Sequence, residues 1–370
     1  MPIEMTHSNS TSHKTSVEVQ GDAAPEIVLL TSDHLRRRVA ELVGGDVGRA
    51  DHPGHDLRWL AVLEKGLRQR GYLIEARSGE ASVGRLPLAF VSSVLFGRYL
   101  VSLPYVNSAG VSECRKDVAD GLISRAVELA EELDCRYLEL RHESAHSHTA
   151  LNAQRDDKVQ MRLALPGTVD ELWDGLKSKV RSQVRKGQKQ GFEIEWGGNE
   201  LLPEFYNVFS RRMRDLGTPV YSRKLFETLL DEFGEDAEVC RVREGRTTIA
   251  SAILVHGRTI TEVPSASTLQ RYNPKNVNML MYWNLLERTV ARGQSSFDFG
   301  RATRGGNTYR FKKQWGSQER PTTWQYHLRQ GSSDALRPDS ARNQRLIQVW
   351  KRLPLRLTRL IGPAIVRGIP

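Results

Sequence analysis

Cysteine is scarce in this sequence. Cys114, Cys135 and Cys240 lie far apart and form no C-x-x-C pair. That excludes a disulfide framework and a zinc ribbon, and leaves buried free thiols as the plain expectation. No apolar run approaches the roughly 20 residues that a membrane-crossing helix needs. Met1 to Ala24 is rich in Ser, Thr and His but has no continuous apolar stretch, so it does not read as a secretory signal. Residues 1–25 are expected to be a disordered leader, and the cytoplasm is the expected compartment. A G-x-S-x-G elbow and a G-x-x-x-x-G-K-[ST] loop are both absent, which removes serine-hydrolase and P-loop chemistry.

What is present suits a soluble chain of two domains. There are 370 residues, 39% apolar and 26% charged, enough for two separate cores. The net charge of +10 suits an anionic partner such as a nucleic acid, a nucleotide-linked substrate or a membrane surface.

Hydrophobic periodicity gives a repeated order of elements. In the first half, 57–70 reads as a helix, followed by strands at 72–77, 83–91 and 99–103. The helix at 112–133 has Val118, Leu122, Ala126, Leu129 and Leu133 on one face, and a strand at 136–140 follows it. In the second half, helices at 201–216 and 222–233 precede strands at 237–242, 247–255 and 259–263. A helix at 276–292 and a short strand at 296–299 close the set. A meander leading through a helix to a neighbouring strand gives a mixed sheet with helices on its faces. The expected fold is α/β (α+β), and this element order resembles the GNAT acyltransferase fold, which implies two tandem GNAT-like acyltransferase domains with mixed central sheets. Their expected spans are 26–165 and 166–331, with a basic amphipathic tail over 332–370. Thr168 and Glu171 have the spacing of a capping box at the start of the second domain.

Two basic segments stand out. Residues 177–189, KSKVRSQVRKGQK, include Lys179, Arg181 and Arg185 and no acid. Such a helix attracts phosphate, or is a solvated face; both readings stay open. Residues 297–316, FDFGRATRGGNTYRFKKQWG, place Arg301, Arg304, Arg310, Lys312 and Lys313 around a diglycine turn after a strand. Strand ends and helix N-termini are where anionic ligands collect in α/β sheets.

That last segment resembles the Fem-type aminoacyltransferases, particularly the FemAB-like proteins of exosortase (PEP-CTERM) and exopolysaccharide gene clusters. The similarity extends to KVRSQVRKGQKQG (179–191), LGTPVY (216–221), NVNMLMYW (276–283) and WKRLP (350–354). It implies a tandem GNAT-like fold and an N-acyltransferase acting on an amine of a peptidoglycan precursor or an exported glycan. A catalytically silent scaffold in cell-envelope assembly is the alternative. The family's lysine after phenylalanine matches Phe311–Lys312, so Lys312 is the implied catalytic cation, and Asp298 is the candidate proton acceptor. Arg301, Arg304, Arg310, Lys313, Lys179, Arg181 and Arg185 are implied to bind the donor, and Tyr221 and Tyr282 the acceptor. The donor is aminoacyl-tRNA or acyl-CoA as co-substrate, with no resident cofactor and no metal. The acyl-CoA signature Q/R-x-x-G-x-G/A is missing, because Arg304 stands where glycine is required.

One motif points elsewhere. His142-Glu143-Ser144-Ala145-His146 matches H-E-x-x-H, a zinc pattern that needs a helix. Here it follows a strand, so a loop lining the acceptor cleft is the expected reading. The tail mixes Leu, Ile, Val and Trp350 with Lys and Arg, which suits peripheral contact with the inner face of the membrane or packing on the second domain.

Overall fold

A computed structural model describes residues 24–45, 50–112, 114–329 and 341–369. The expected leader, but for its last two residues, and the expected join to the tail at 331/332 fall outside the described residues.

Two seven-stranded sheets lie at the centre. The first takes β1 (Glu26–Thr31), β2 (Arg70–Ser78), β3 (Ala81–Ser93), β4 (Gly97–Val101), β5 (Tyr137–His142) and β6 (Ala153–Arg155). The second takes β7 (Lys158–Ala164), β8 (Glu193–Gly197), β9 (Ala237–Glu244), β10 (Thr247–His256), β11 (Ile260–Thr268), β12 (Ser296–Thr303) and β13 (Gln318–Pro321). The last strand, β14 (Thr323–Leu328), returns to the first sheet and lies between β5 and β6. Each sheet has one parallel pair, β4 with β5 and β11 with β12. In each, a crossover helix makes the connection: α3 (Lys116–Glu132) in the first domain and α8 (Val277–Ala291) in the second.

These are two GNAT-like domains in tandem, with mixed sheets as expected. The sheets, however, exchange strands across the boundary expected at 165/166. β7 lies before that point yet pairs with β12, while β14 follows the second domain's last strand yet pairs with β5. Strand partners so distant leave no local signature.

Four of the five residues of the apolar stripe foreseen on α3 are buried, Val118, Leu122, Ala126 and Leu129 at most 3% exposed, while Leu133 caps the helix and is half-buried. α8 is buried more widely than a single stripe. Met281, Leu285 and Tyr282 are covered along with Met279, Trp283, Leu286 and Val290, because α5 (Ser178–Gln188) packs on one side and α9 (Asn307–Gln314) on another. The capping box forms: Thr168 Oγ1 accepts from Glu171 N–H, and Glu171 returns the bond, at the start of α4 (Val169–Gly175).

The domains share a core. Trp59, Leu60 and Leu63 of α2 (Arg58–Leu67) pack with Leu225, Phe226 and Leu229 of α7 (Arg223–Phe233) and with Phe205 of α6 (Leu202–Leu216). α1 (Ser32–Gly44) flanks β1 and β2. α10 (Ala341–Arg352) and α11 (Leu355–Val366) lie against α6.

Candidate active site at the β12 bulge

Alternation along β12 divides its side chains. Phe297 and Phe299 enter the second core, and Asp298 points to the other face, fully buried. The strand then bulges. Its register against β7 shifts between Asp298 and Arg301, and Gly300 adopts φ +74°, a conformation that a side chain disfavours. Gly300 N–H donates to Asp298 Oδ1 at 2.7 Å. At this bulge Lys312 meets the Gly300 and Arg301 carbonyls. From α9 its Nζ donates to Gly300 O at 3.0 Å and to Arg301 O at 2.9 Å.

Lys312 is 6% exposed. Burial lowers its pKa to about 8, opposed by the charges of Asp298 and Glu262. An ammonium has three donors; two are spent on carbonyls, and one remains for an incoming oxygen.

Asp298 is a poor proton acceptor, which corrects the reading of it as a catalytic base. Besides Gly300 N–H it accepts from Arg162 Nε at 3.2 Å and Nη2 at 3.1 Å, and it lies 3.1 Å from His52 Nε2. These partners outweigh the effect of burial and hold its pKa at about 2. His52 is spent as well, because Gly54 N–H donates to its Nδ1 at 2.9 Å. Glu262, beside Asp298 in the parallel β11–β12 register, is the opposite case. Burial raises its pKa, helped by Asp298, and its one side-chain hydrogen bond among the described residues is from Asn107 Nδ2 at 3.2 Å. Two neighbouring carboxyls are thus pushed in opposite directions by their surroundings. Sequence reading missed Glu262, His52, Arg162 and Asn107, which come from other elements and share no spacing pattern with β12.

The remaining expected residues do not form one cluster. Arg301 is half-buried and stacks its guanidinium 3.3 Å from the centre of the Trp324 ring, on β14, where Arg141 also lies at 4.0 Å. Burial and Arg141 lower its pKa. Arg304 and Lys313 gather on Glu319, at 3.0 and 3.8 Å, and Arg310 bonds Asn307 on the exposed side of α9. Lys179, Arg181 and Arg185 are on α5, whose Val180 and Val184 are buried. Arg181 pairs with Asp174 at 3.6 Å, and Arg185 lies over Trp173. The expected donor cations thus divide among Trp324, Glu319 and α5.

The two expected acceptor tyrosines part company. Tyr282 is a core residue, 9% exposed and packed on Phe299 and Phe311. Tyr221 joins Tyr105 at the domain interface, ring centres 4.9 Å apart, and Tyr105 O–H meets Ser265 Oγ at 2.9 Å. The H-E-x-x-H motif is not helical. His142 ends β5, and Glu143 to His146 form a loop whose Glu143 accepts from Arg162 at 2.8 Å. Among the described residues no group of three or more His, Cys, Asp or Glu is arranged to hold a metal ion.

Comparison with known proteins matches this geometry to a fold. Residues 175–313 match the acetyltransferase (GNAT) domain family. The crystal structure of FemX is similar with a TM-score of 0.58 and 14% identity, covering 88% of this chain and all of that one. L-PGS from Bacillus licheniformis is similar at 0.54 and 12%, covering 88% of this chain and 96% of that one. A third, the C-terminal domain (DUF2156) named for lysylphosphatidylglycerol synthetase from Agrobacterium fabrum, gives 0.53 and 13%, covering 81% and 94%. No curated protein matches the sequence.

Proposed function

We propose that this protein is a Fem-like N-acyltransferase that moves an aminoacyl or acyl group onto an amine of a cell-envelope or exported-glycan precursor. The observation that carries the reading is the buried Lys312 ammonium, with two donors anchored on the β12 bulge and one free. Similarity to FemX and to the lysylphosphatidylglycerol synthetase domain supports acyl transfer as the reaction class. In this reading the amine nitrogen attacks the acyl carbonyl carbon, and the carbonyl electron pair moves onto oxygen. The third N–H of Lys312 stabilises that oxyanion. Collapse reforms the carbonyl and expels the donor's ribose oxygen or thiol sulfur, which takes up the proton lost by nitrogen, either directly or through Glu262. The donor is aminoacyl-tRNA or acyl-CoA, and α5, with Lys179, Arg181 and Arg185, suits its phosphates. The basic tail suits peripheral contact at the inner face of the membrane.

The test pairs donors and variants. Wild type is assayed with aminoacyl-tRNA and with acyl-CoA, and products are sought by mass spectrometry of acceptor pools from cells with and without the gene. Lys312→Ala is expected to lower kcat about 100- to 1000-fold with an unchanged circular dichroism spectrum. Wild type inert with both donors, and acceptor pools unchanged by the gene, would establish the silent scaffold instead.

A further inference from the structure

His142 and three other histidines line a cavity of about 570 Å³. The walls come chiefly from the first domain, with Arg162 and Ile260 from the second. Exposed Asp51 and Ser144 stand at its rim, and buried His52 and His142 at its floor.

The hydrogen-bond network settles where the His142 proton sits. Gln325 Nε2 donates to His146 O at 2.9 Å, and its Oε1 accepts from His146 N–H at 2.8 Å. Two backbone groups therefore fix the amide's orientation. Oε1 also lies 3.1 Å from His142 Nδ1. An amide oxygen cannot donate, so Nδ1 carries the proton and Nε2 has a bare lone pair. His142 is 2% exposed, and its Nε2 has no partner among the described residues. A buried acceptor left unmet has lost its water without a replacement partner. The ring is also fitted to its place: a Cβ on Gly110 would come within 1.9 Å of Cδ2.

A second unmet group faces the same space. Arg85 is half-buried on the cavity wall, and its guanidinium has no hydrogen bond or ion pair among the described residues. Glu75 and Asp56 act on it only through space. Several other polar groups of the lining are occupied, and Ser108 Oγ also lies 3.4 Å from His55 Nε2. Arg162 holds Asp298 and Glu143, His52 is bonded at both nitrogens, and Ser108 donates to Glu143 at 3.1 Å.

We propose that this cavity binds a small anion that also carries hydroxyl or amine groups, its anionic end on Arg85 and one O–H or N–H donated to His142 Nε2. The volume lies within the ordinary range for small-molecule sites. An anion without a donor satisfies Arg85 alone, and a neutral polyol satisfies His142 alone. The inference is independent of acyl transfer, because it is read by binding.

The test uses the full chain labelled with ¹⁵N at histidine, titrated with glycerol 3-phosphate, glycerol and sulfate, with His142→Gln identifying the signal. In the free protein His142 Nε2 should show the resonance of an unprotonated nitrogen without a hydrogen bond. Glycerol 3-phosphate should move it at lower concentration than glycerol does, and sulfate should leave it in place. Arg85→Gln should weaken the glycerol 3-phosphate response about tenfold or more and spare that of glycerol, while Arg85→Lys retains part of it. A proton on Nε2 in the free protein overturns the proposal. So does a resonance that none of the three probes moves, or a glycerol 3-phosphate response that both Arg85 variants, shown to be folded by thermal unfolding, leave unchanged.

Discussion

Asp298 and Lys312 share a buried corner and titrate in opposite senses. The folded-state pKa of Asp298, about 2, lies below its ordinary 3.8. Its contribution to stability is therefore present above pH 4 and is lost as pH falls from 4 towards 2. Asp298→Asn leaves Arg162 and His52 without their anion and is expected to cost about 3 kcal/mol. Urea unfolding at pH 7 and pH 3 checks this: the variant's deficit should shrink at the lower pH, and an equal deficit at both would assign the cost to packing. Lys312 is depressed to about 8 from 10.5, because burial penalises its charged form. If the ammonium is the working form, transfer rate should fall as pH rises through about 8. Lys312→Arg, which stays charged, should lose that alkaline limb even if its rate is low. A wild-type rate flat from pH 7 to 10 would contradict the assigned role. Both residues were legible in the sequence, since one strand–turn–helix segment carries them. Glu262 was not. It lies 36 residues earlier by number and becomes a partner only when β11 and β12 pair.

At the scale of elements, periodicity located the strands of both meanders, the crossover helices α3 and α8 and the short β12, because each buries one face or a whole run against its neighbour in sequence. It gave no sign of β13 or β14. Their register is set by β7 and β5, more than 150 residues away, and β14 has no strong alternation of its own: its burial runs half, half, full, full, half, half. Nor did it show how α2 and α7 meet. Gly66 faces α7 so closely that a Cβ would lie 2.8 Å from the Leu225 Cα, a backbone atom that cannot rotate aside. Gly66→Ala should therefore push the two helices apart and destabilise by about 1–3 kcal/mol, even though alanine favours helix over glycine by nearly 1 kcal/mol. Thermal unfolding decides between the two effects. A raised midpoint would mean that the crossing yields, and that the shared core of Trp59, Phe205 and Phe226 does not depend on this approach.

Over the whole molecule, the C-terminal tail combines positive charge with exposed apolar side chains. Residues 341–369 carry Arg342, Arg345, Lys351, Arg352, Arg356, Arg359 and Arg367 and no acid. The tail does pack on the second domain, as one of the two expected readings had it: Arg359 Nε donates to Ser210 Oγ at 2.8 Å, and Gly362 lies against Val220. That packing uses one side of α11 and leaves Leu360 76% exposed on the other. The tail also crosses to the first domain, where Gly368 abuts Ser93 and Phe96 of the β3–β4 turn, and that turn presents Val94 and Leu95 to solvent, 106% and 77% exposed. A basic tail together with exposed apolar side chains suits the boundary of an anionic bilayer, where each basic group near the surface adds about 1 kcal/mol. No described helix is long and apolar enough to cross a membrane. The protein should therefore sediment with vesicles containing phosphatidylglycerol and not with pure phosphatidylcholine, and high salt should release it. Leu360→Asp, or Val94→Asp with Leu95→Asp, should weaken that binding without altering the fold, since these side chains touch little of it. If Leu360→Asp instead dissolves a dimer seen by light scattering and leaves vesicle binding untouched, the face is an interface between two copies and the bilayer reading fails.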